Sequence, residues 1–204
     1  MPVSSAGQKA GALPRRRPSH PLALFFKGFL KHPAMVGSVI PSSRALVDKM
    51  LAPVDWGRVK LFVEYGPGVG TYTLPILDRL GPDATLVAID TNPDFVTFLR
   101  KEVVDPRFHA VRGSAADVRR IIADFGFDHA DYVLSGLPFS TLPDGVGDQI
   151  ARETAAVLTV DGAFLVYQVS AKVADYIGPH FPVVERGFEW LNIPPMRLFW
   201  ARKG

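Results

Sequence analysis

Three glycines, Gly66, Gly68 and Gly70, stand in the run Leu61-Phe-Val-Glu-Tyr-Gly-Pro-Gly-Val-Gly-Thr71. The apolar residues ahead of them read as a buried strand and those after them as a helix, so the glycines occupy a sharp strand-to-helix turn. Glycine suits such a turn when backbone must approach a ligand closely and adopt positive φ. The spacing is G-x-G-x-G, with Thr71 standing where the dinucleotide fingerprint sets its third small residue. Two carboxylates accompany the loop. Glu64 lies two positions before the first glycine, and Asp90, twenty residues beyond Gly70, ends the run Leu86-Val-Ala-Ile-Asp. A pyrophosphate would be repelled by Glu64, so charge points away from a dinucleotide. Asp90 can accept hydrogen bonds from both hydroxyls of a ribose. The plain alternatives are an ordinary turn for the loop and a helix N-cap before Pro93 for Asp90.

An acidic residue two positions ahead of the first glycine resembles the first motif of the Rossmann-like methyltransferases. The cofactor this implies is S-adenosylmethionine, whose cationic sulfonium gains from a nearby carboxylate where a phosphate would lose. The run Gly113-Ser-Ala-Ala-Asp117 follows the third strand, where related enzymes contact adenine, often through an acidic residue directly after the glycine. Ser114 holds that place here, and Asp117 is either a second candidate or a helix cap. After the fourth strand comes Ser135-Gly-Leu-Pro-Phe-Ser140. Enzymes that methylate nucleobase amines usually carry Asn or Asp at the second of these positions, as acceptor for a planar exocyclic amine. Gly136 leaves that acceptor missing while Leu137-Pro138-Phe139 remains.

These residues need a frame, and the pattern around them supplies one. Lys60–Glu64, Thr85–Ile89, Phe108–Val111, Ala130–Ser135 and Ala163–Val169 read as strands. Thr71–Leu80, Pro93–Val103, Asp117–Phe125 and Gly147–Leu158 read as the helices between them, and Ser42 and Ser43 as an N-cap for a helix through Leu51. This alternation predicts an α/β fold, a mostly parallel sheet with helices on both faces. Val183–Asn192 and Met196–Lys203, separated by Ile193-Pro-Pro195, close it as an antiparallel pair. The chain of 204 residues fits one domain, with 48% hydrophobic and 21% charged residues. It has no cysteine, which removes disulfides, thiolate metal sites and a cysteine nucleophile, and suits a cytoplasmic protein. Charge is uneven: residues 1–60 hold ten Lys/Arg against two Asp/Glu, a net of +8, whereas 61–204 hold thirteen against eighteen, a net of −5. Residues 1–20 read as a flexible basic arm that fits an anionic partner. Residues 21–33, between Pro21 and Pro33, read as a helix with Leu22, Phe25, Phe26, Phe29 and Leu30 on one face. That face either covers the core or lies in a membrane interface.

Four stretches together resemble the bacterial phospholipid N-methyltransferases, relatives of the ribosomal RNA adenine dimethylases: Phe26–Pro33 with Gly37–Arg44, the loop from Glu64 to Gly70, Ser135–Pro143, and Leu191–Pro195. The resemblance implies a seven-stranded Rossmann-like methyltransferase domain over 34–204 that uses S-adenosylmethionine, releases S-adenosylhomocysteine and needs no metal. It implies stepwise methylation of phosphatidylethanolamine and its methylated intermediates towards phosphatidylcholine, at the inner face of the membrane, with no nucleic acid partner. Cofactor contacts are expected at Ser42, Glu64, Gly66, Gly68, Gly70, Asp90 and Thr91, and at Ser114, Ala115, Ala116 and Ser135. Phe25, Phe26, Lys27, Phe29 and Lys31 are expected to bind an anionic membrane. Phe139 is the candidate aromatic wall for a cationic product and Arg197 the candidate fork for lipid phosphate, with an exposed strand arginine as the alternative. Tyr176 and His180 are candidates for headgroup binding or proton relay, against a structural role for each. The main rival is an RNA or DNA adenine methyltransferase. A non-catalytic membrane-binding protein on the same fold and an enzyme for soluble small molecules are the others.

Overall fold

The computed structural model describes residues 43–203. The basic arm, the 21–33 helix with Phe25, Phe26, Lys27, Phe29 and Lys31, and Ser42 lie outside the described residues.

Chain order is α1 (Arg44–Leu51), β1 (Leu61–Tyr65), α2 (Thr73–Arg79), β2 (Thr85–Asp90), α3 (Pro93–Glu102), β3 (Phe108–Arg112), α4 (Val118–Ala123) and β4 (Ala130–Ser135). It continues with α5 (Val146–Val157), β5 (Leu158–Gln168), α6 (Val173–Ile177), β6 (Val183–Glu189) and β7 (Met196–Arg202). One seven-stranded sheet runs β3-β2-β1-β4-β5-β7-β6. Neighbours from β3 through to β5 pair in parallel, and β7 lies antiparallel between β5 and β6. The chain steps outward from β1 to β3 and then crosses to β4 on the other side of β1. That reversal opens a crevice at the carboxyl ends of β1 and β4, where open α/β sheets bind ligands.

Burial follows from the pleat. Every residue of β1 is buried, as a central parallel strand covered on both faces requires. Phe62 joins the apolar layer under α1, α2 and α3, with Leu46, Ile76 and Leu99, while Leu61, Val63 and Tyr65 join the layer under α4, α5 and α6, with Ile121, Ile150 and Ile177. Ser43 caps α1 by accepting the Leu46 N–H at 3.1 Å.

Three departures from the pattern reading have a physical reason. β5 begins at Leu158 rather than Ala163, across a register shift between Ala130 and Tyr132; at Gly162 a Cβ would come within 2.8 Å of the Asp131 carbonyl, so glycine there marks a close strand contact. The five-residue α6 is too short to show a helical period. β6 stops at Glu189 instead of Asn192, because the Glu189 carboxylate turns back to accept the Leu191 N–H at 2.9 Å.

Candidate active site

The loop after β1 holds Gly66, Gly68 and Gly70 at φ of 63°, 54° and 84°. All are left-handed, which side chains resist and glycine does not. At Gly68 a Cβ would meet nothing within 4 Å, so the loop presents bare backbone to open space there. Its ends are fixed by the Gly66 N–H on the Ile89 carbonyl at 2.9 Å and the Gly70 N–H on the Pro67 carbonyl at 2.9 Å.

The carboxylates sit around this backbone. Glu64, 2% exposed, accepts the Thr73 hydroxyl at 2.7 Å. Burial pushes its carboxyl up to about 7, against the Thr73 hydrogen bond, with a smaller push from Asp90. A cation bound beside Glu64 would favour its ionised form and offset that burial. Asp90 takes the Asn92 N–H at 2.8 Å on one oxygen and the Gly68 N–H at 3.3 Å on the other, leaving lone pairs on both for a diol. Desolvation raises its pKa, and the backbone N–H groups of Asn92, Gly68 and Thr91 oppose that shift. The helix-cap alternative for Asp90 falls away, since Asn92 caps α3 through the Asp94 N–H at 2.9 Å. Open glycine backbone, a buried acid and a diol acceptor together fit a cationic nucleoside sulfonium such as S-adenosylmethionine. Glu64 and the loop would hold its charged end, and Asp90 its ribose.

Of the other expected contacts, Thr91 is exposed and Ala115 is buried. Ser114 spends its hydroxyl on the Ala116 N–H at 3.2 Å, starting a short 3-10 turn. Asp117 precedes α4 without a side-chain cap bond. Ser135 is fully buried and accepts the Leu137 N–H at 3.2 Å, which shapes the turn at the end of β4.

The substrate-side candidates do not form one cluster. Phe139 is fully buried, with Phe164 at 6.5 Å and Tyr176 at 5.9 Å between ring centroids, so it packs in the core instead of lining an open wall. Tyr176 also covers Gly147, where a Cβ would stand 3.0 Å from its ring. His180 is held by Asp148 at 2.9 Å. Arg197 lies apart, exposed at the start of β7 with its guanidinium 5.6 Å from the centre of the Phe188 ring. Among the described residues no cluster of His, Cys, Asp and Glu could hold a metal.

One residue of the site was missed in the sequence. A Cβ placed on Gly136 would lie 2.3 Å from the hydroxyl of Tyr167, on β5. The phenol therefore occupies the space where an Asn or Asp side chain would otherwise start. Its ring stacks on Tyr72 at 4.5 Å between centroids. Burial, with Tyr72 and Glu64 nearby, raises its pKa well above the ordinary phenol value. Glu64, Tyr72, Tyr167 and Gly136 thus meet at the carboxyl end of the sheet. Gly136 without its usual acceptor was the available signal, but only the register of β4 on β5, Ser135 opposite Val166, names the side chain that fills the gap.

The comparisons agree with this geometry. Residues 62–162 match the family described as a methyltransferase domain. The chain is 30% identical over 181 residues to the ornithine lipid N-methyltransferase of Singulisphaera acidiphila, covering 88% of this chain and 94% of that protein. A ribosomal RNA small subunit methyltransferase H from Nitrosomonas europaea is 32% identical over 82 residues, 40% of this chain and 26% of that protein. Among solved structures, the precorrin-6y C5,15-methyltransferase of Geobacter metallireducens superposes with a TM-score of 0.65 at 16% identity, covering 84% of this chain and 94% of that one. The 16S rRNA N2 G1207 methyltransferase of T. thermophilus, solved with AdoMet and guanosine, gives 0.61 at 19% identity, covering 84% and 45%. At these identities the structures share the fold. Sheet order, glycine loop, paired carboxylates and similarity over most of both chains converge: this chain belongs to the S-adenosylmethionine-dependent, Rossmann-like methyltransferases, in one family with the Singulisphaera ornithine lipid N-methyltransferase.

Proposed function

We propose that the protein methylates the amine of a membrane lipid, phosphatidylethanolamine and its methylated intermediates, towards phosphatidylcholine, as a peripheral protein on the cytoplasmic face of the membrane. The observation that carries the reading is the similarity to a lipid amine methyltransferase across 94% of that protein's length, well beyond the residues of the methyltransferase domain match. Gly136 supports it from the site: the acceptor for a planar base amine is replaced by a tyrosine hydroxyl. The ribosomal RNA relative matches only 40% of the chain.

When bound, S-adenosylmethionine supplies an electrophilic methyl on its sulfonium; the lone pair of a neutral amine forms the N–C bond as the C–S bond breaks with its electrons staying on sulfur. The chain's part is mainly placement. The Tyr167 hydroxyl, held protonated by its raised pKa, accepts an N–H of the incoming amine and fixes where its lone pair points. The ring of Tyr167, part-exposed and backed by the buried Tyr72, suits the ammonium that forms, through its negative face. Its proton leaves to water before the next round.

The test offers labelled S-adenosylmethionine with vesicles of phosphatidylethanolamine, vesicles of an ornithine lipid, or ribosomal RNA. Label in phosphatidylethanolamine is expected. Label in ornithine lipid alone would reassign the headgroup, and label in RNA alone would overturn the reading.

A further inference from the structure

The connection between β6 and β7, residues 190–195, inverts the usual burial pattern. Trp190, Leu191 and Ile193 are 75%, 77% and 77% exposed, while the polar Asn192 between them is 4% exposed. Hydrogen bonds are the cause. Asn192 accepts the Ser43 N–H at 2.9 Å through Oδ1 and donates to the Pro194 carbonyl at 2.9 Å through Nδ2. Glu189, also buried, accepts the Leu191 N–H at 2.9 Å and pairs with the Lys49 ammonium at 3.3 Å. With positions 189 and 192 turned inward, the apolar side chains at 190, 191 and 193 are held out in water. Phe188 backs Trp190, ring centroids 4.2 Å apart. Apolar side chains presented together on a braced loop mark an interaction surface.

Place and charge indicate its partner. Arg197 pairs with Gln168, so the loop stands at the sheet edge where β5 ends, the edge that also carries the glycine loop and the Ser135–Leu137 turn. Ser43, the first described residue, is bonded to Asn192, so the described part of the chain begins beside this loop. The surroundings are cationic: Arg197 is exposed over Phe188, and the side chains of Arg44 and Lys49 are 96% and 45% exposed. The nearby acids are outnumbered: Glu189 pairs with Lys49, and Asp48 is shared by Arg79 at 2.6 Å and Arg44 at 3.8 Å, so with Arg197 these four bases and two acids leave a net positive charge beside the loop. Tryptophan with aliphatic neighbours inside a basic collar suits the interface of an anionic bilayer.

We propose that residues 190–193 insert into the bilayer interface as a membrane contact separate from residues 21–33, setting the mouth of the site against the headgroups. The choice of a lipid partner rests on the lipid-amine reading above; the loop's geometry does not. The experiment uses the full chain and vesicles of phosphatidylethanolamine with anionic phosphatidylglycerol, some carrying brominated acyl chains. Brominated vesicles are expected to quench the wild-type tryptophan emission, and Trp190→Phe to lose most of that quenching. The triple variant Trp190→Ser, Leu191→Ser, Ile193→Ser is expected to bind vesicles at least tenfold more weakly while its S-adenosylmethionine affinity holds. Its methylation of bilayer lipid falls with binding, and its methylation of the same lipid in detergent micelles does not. Unchanged vesicle affinity in the triple variant, or equal quenching with and without Trp190, overturns the proposal. So does a change of oligomeric state without a change of vesicle affinity, which would make the loop a contact between copies. If no lipid is methylated in bilayer or micelle, the proposed function fails, and the binding and quenching data still decide the loop.

Discussion

Gly136 and Tyr167 explain each other. The close approach of a phenol oxygen leaves no room for a Cβ, so Gly136→Ala is expected to destabilise by about 1–3 kcal/mol through overpacking, read as a lowered Tm. Tyr167→Phe keeps the ring on Tyr72 and removes only the hydroxyl. Losing one hydrogen bond to a charged or developing-charge group costs about 1–3 kcal/mol, so kcat/KM for the amine is expected to fall roughly 10–100-fold. S-adenosylmethionine affinity is expected to hold within about twofold; a parallel loss of cofactor binding would make Tyr167 a packing residue. Glu64 gives a pH test. Its folded pKa of about 7 lies above the unfolded 4.5, so in the unliganded protein its contribution to stability is present below pH 4.5 and lost as pH rises through 7. A bound cation favours the ionised form. Cofactor affinity is therefore expected to rise with pH between about 5 and 7, by up to about tenfold per unit, and then level off, with Glu64→Gln flat across the range. Titration calorimetry in buffers of different ionisation enthalpy reads the proton released. A wild-type affinity as flat as the variant's would remove Glu64 from the cation site.

At the scale of elements, two of the stretches that carried the family likeness, Gly37–Arg44 and Leu191–Pro195, are linked by the bond between Ser43 and Asn192. Neither end of that link is visible in a sequence pattern, because it spans nearly the whole domain and is made by one amide. Asn192→Ala strands the Ser43 N–H and frees the loop, an expected cost of about 1–3 kcal/mol for a buried hydrogen-bonded group. Hydrogen exchange at the start of α1 and in residues 190–195 is expected to quicken together, while β1 to β4 stay protected. Quickening confined to the loop would show that α1 does not depend on it. The strands and helices from Lys60 to Leu158 were legible, because apolar runs bounded by Gly, Pro and Asp keep a period even in single sequence. What was not legible had no period to show: the five residues of α6, the β5 start across Gly162, and the inward turn of Glu189. The grouping of Glu64, the glycines and Asp90 was legible for a related reason, since they sit at strand ends with fixed spacing. The acceptor side comes from β4 and β5 together, and a single sequence does not print that register.

The whole molecule is electrically lopsided, +8 over residues 1–60 and −5 over the rest. A uniformly basic protein would be drawn to any polyanion; this one carries its excess at the end that also bears the Phe-rich segment. Attraction between exposed charges is screened over about 8 Å at 0.15 M salt, whereas apolar insertion is nearly indifferent to salt. The two contributions to vesicle binding therefore separate. Raising salt from 50 to 500 mM is expected to weaken binding to anionic vesicles by an order of magnitude or more and binding to neutral vesicles hardly at all. Changing Phe25, Phe26 and Phe29 to Ser is expected to abolish pelleting with both, while S-adenosylmethionine binding persists. Pelleting that survives these three changes would leave the basic residues and the 190–193 loop as sufficient anchors, and would remove the Phe-rich face from the membrane role. Salt-indifferent binding to anionic vesicles would remove the charge asymmetry instead. Cosedimentation across the two lipid compositions and the salt series, read against cofactor binding as the control for folding, assigns each share.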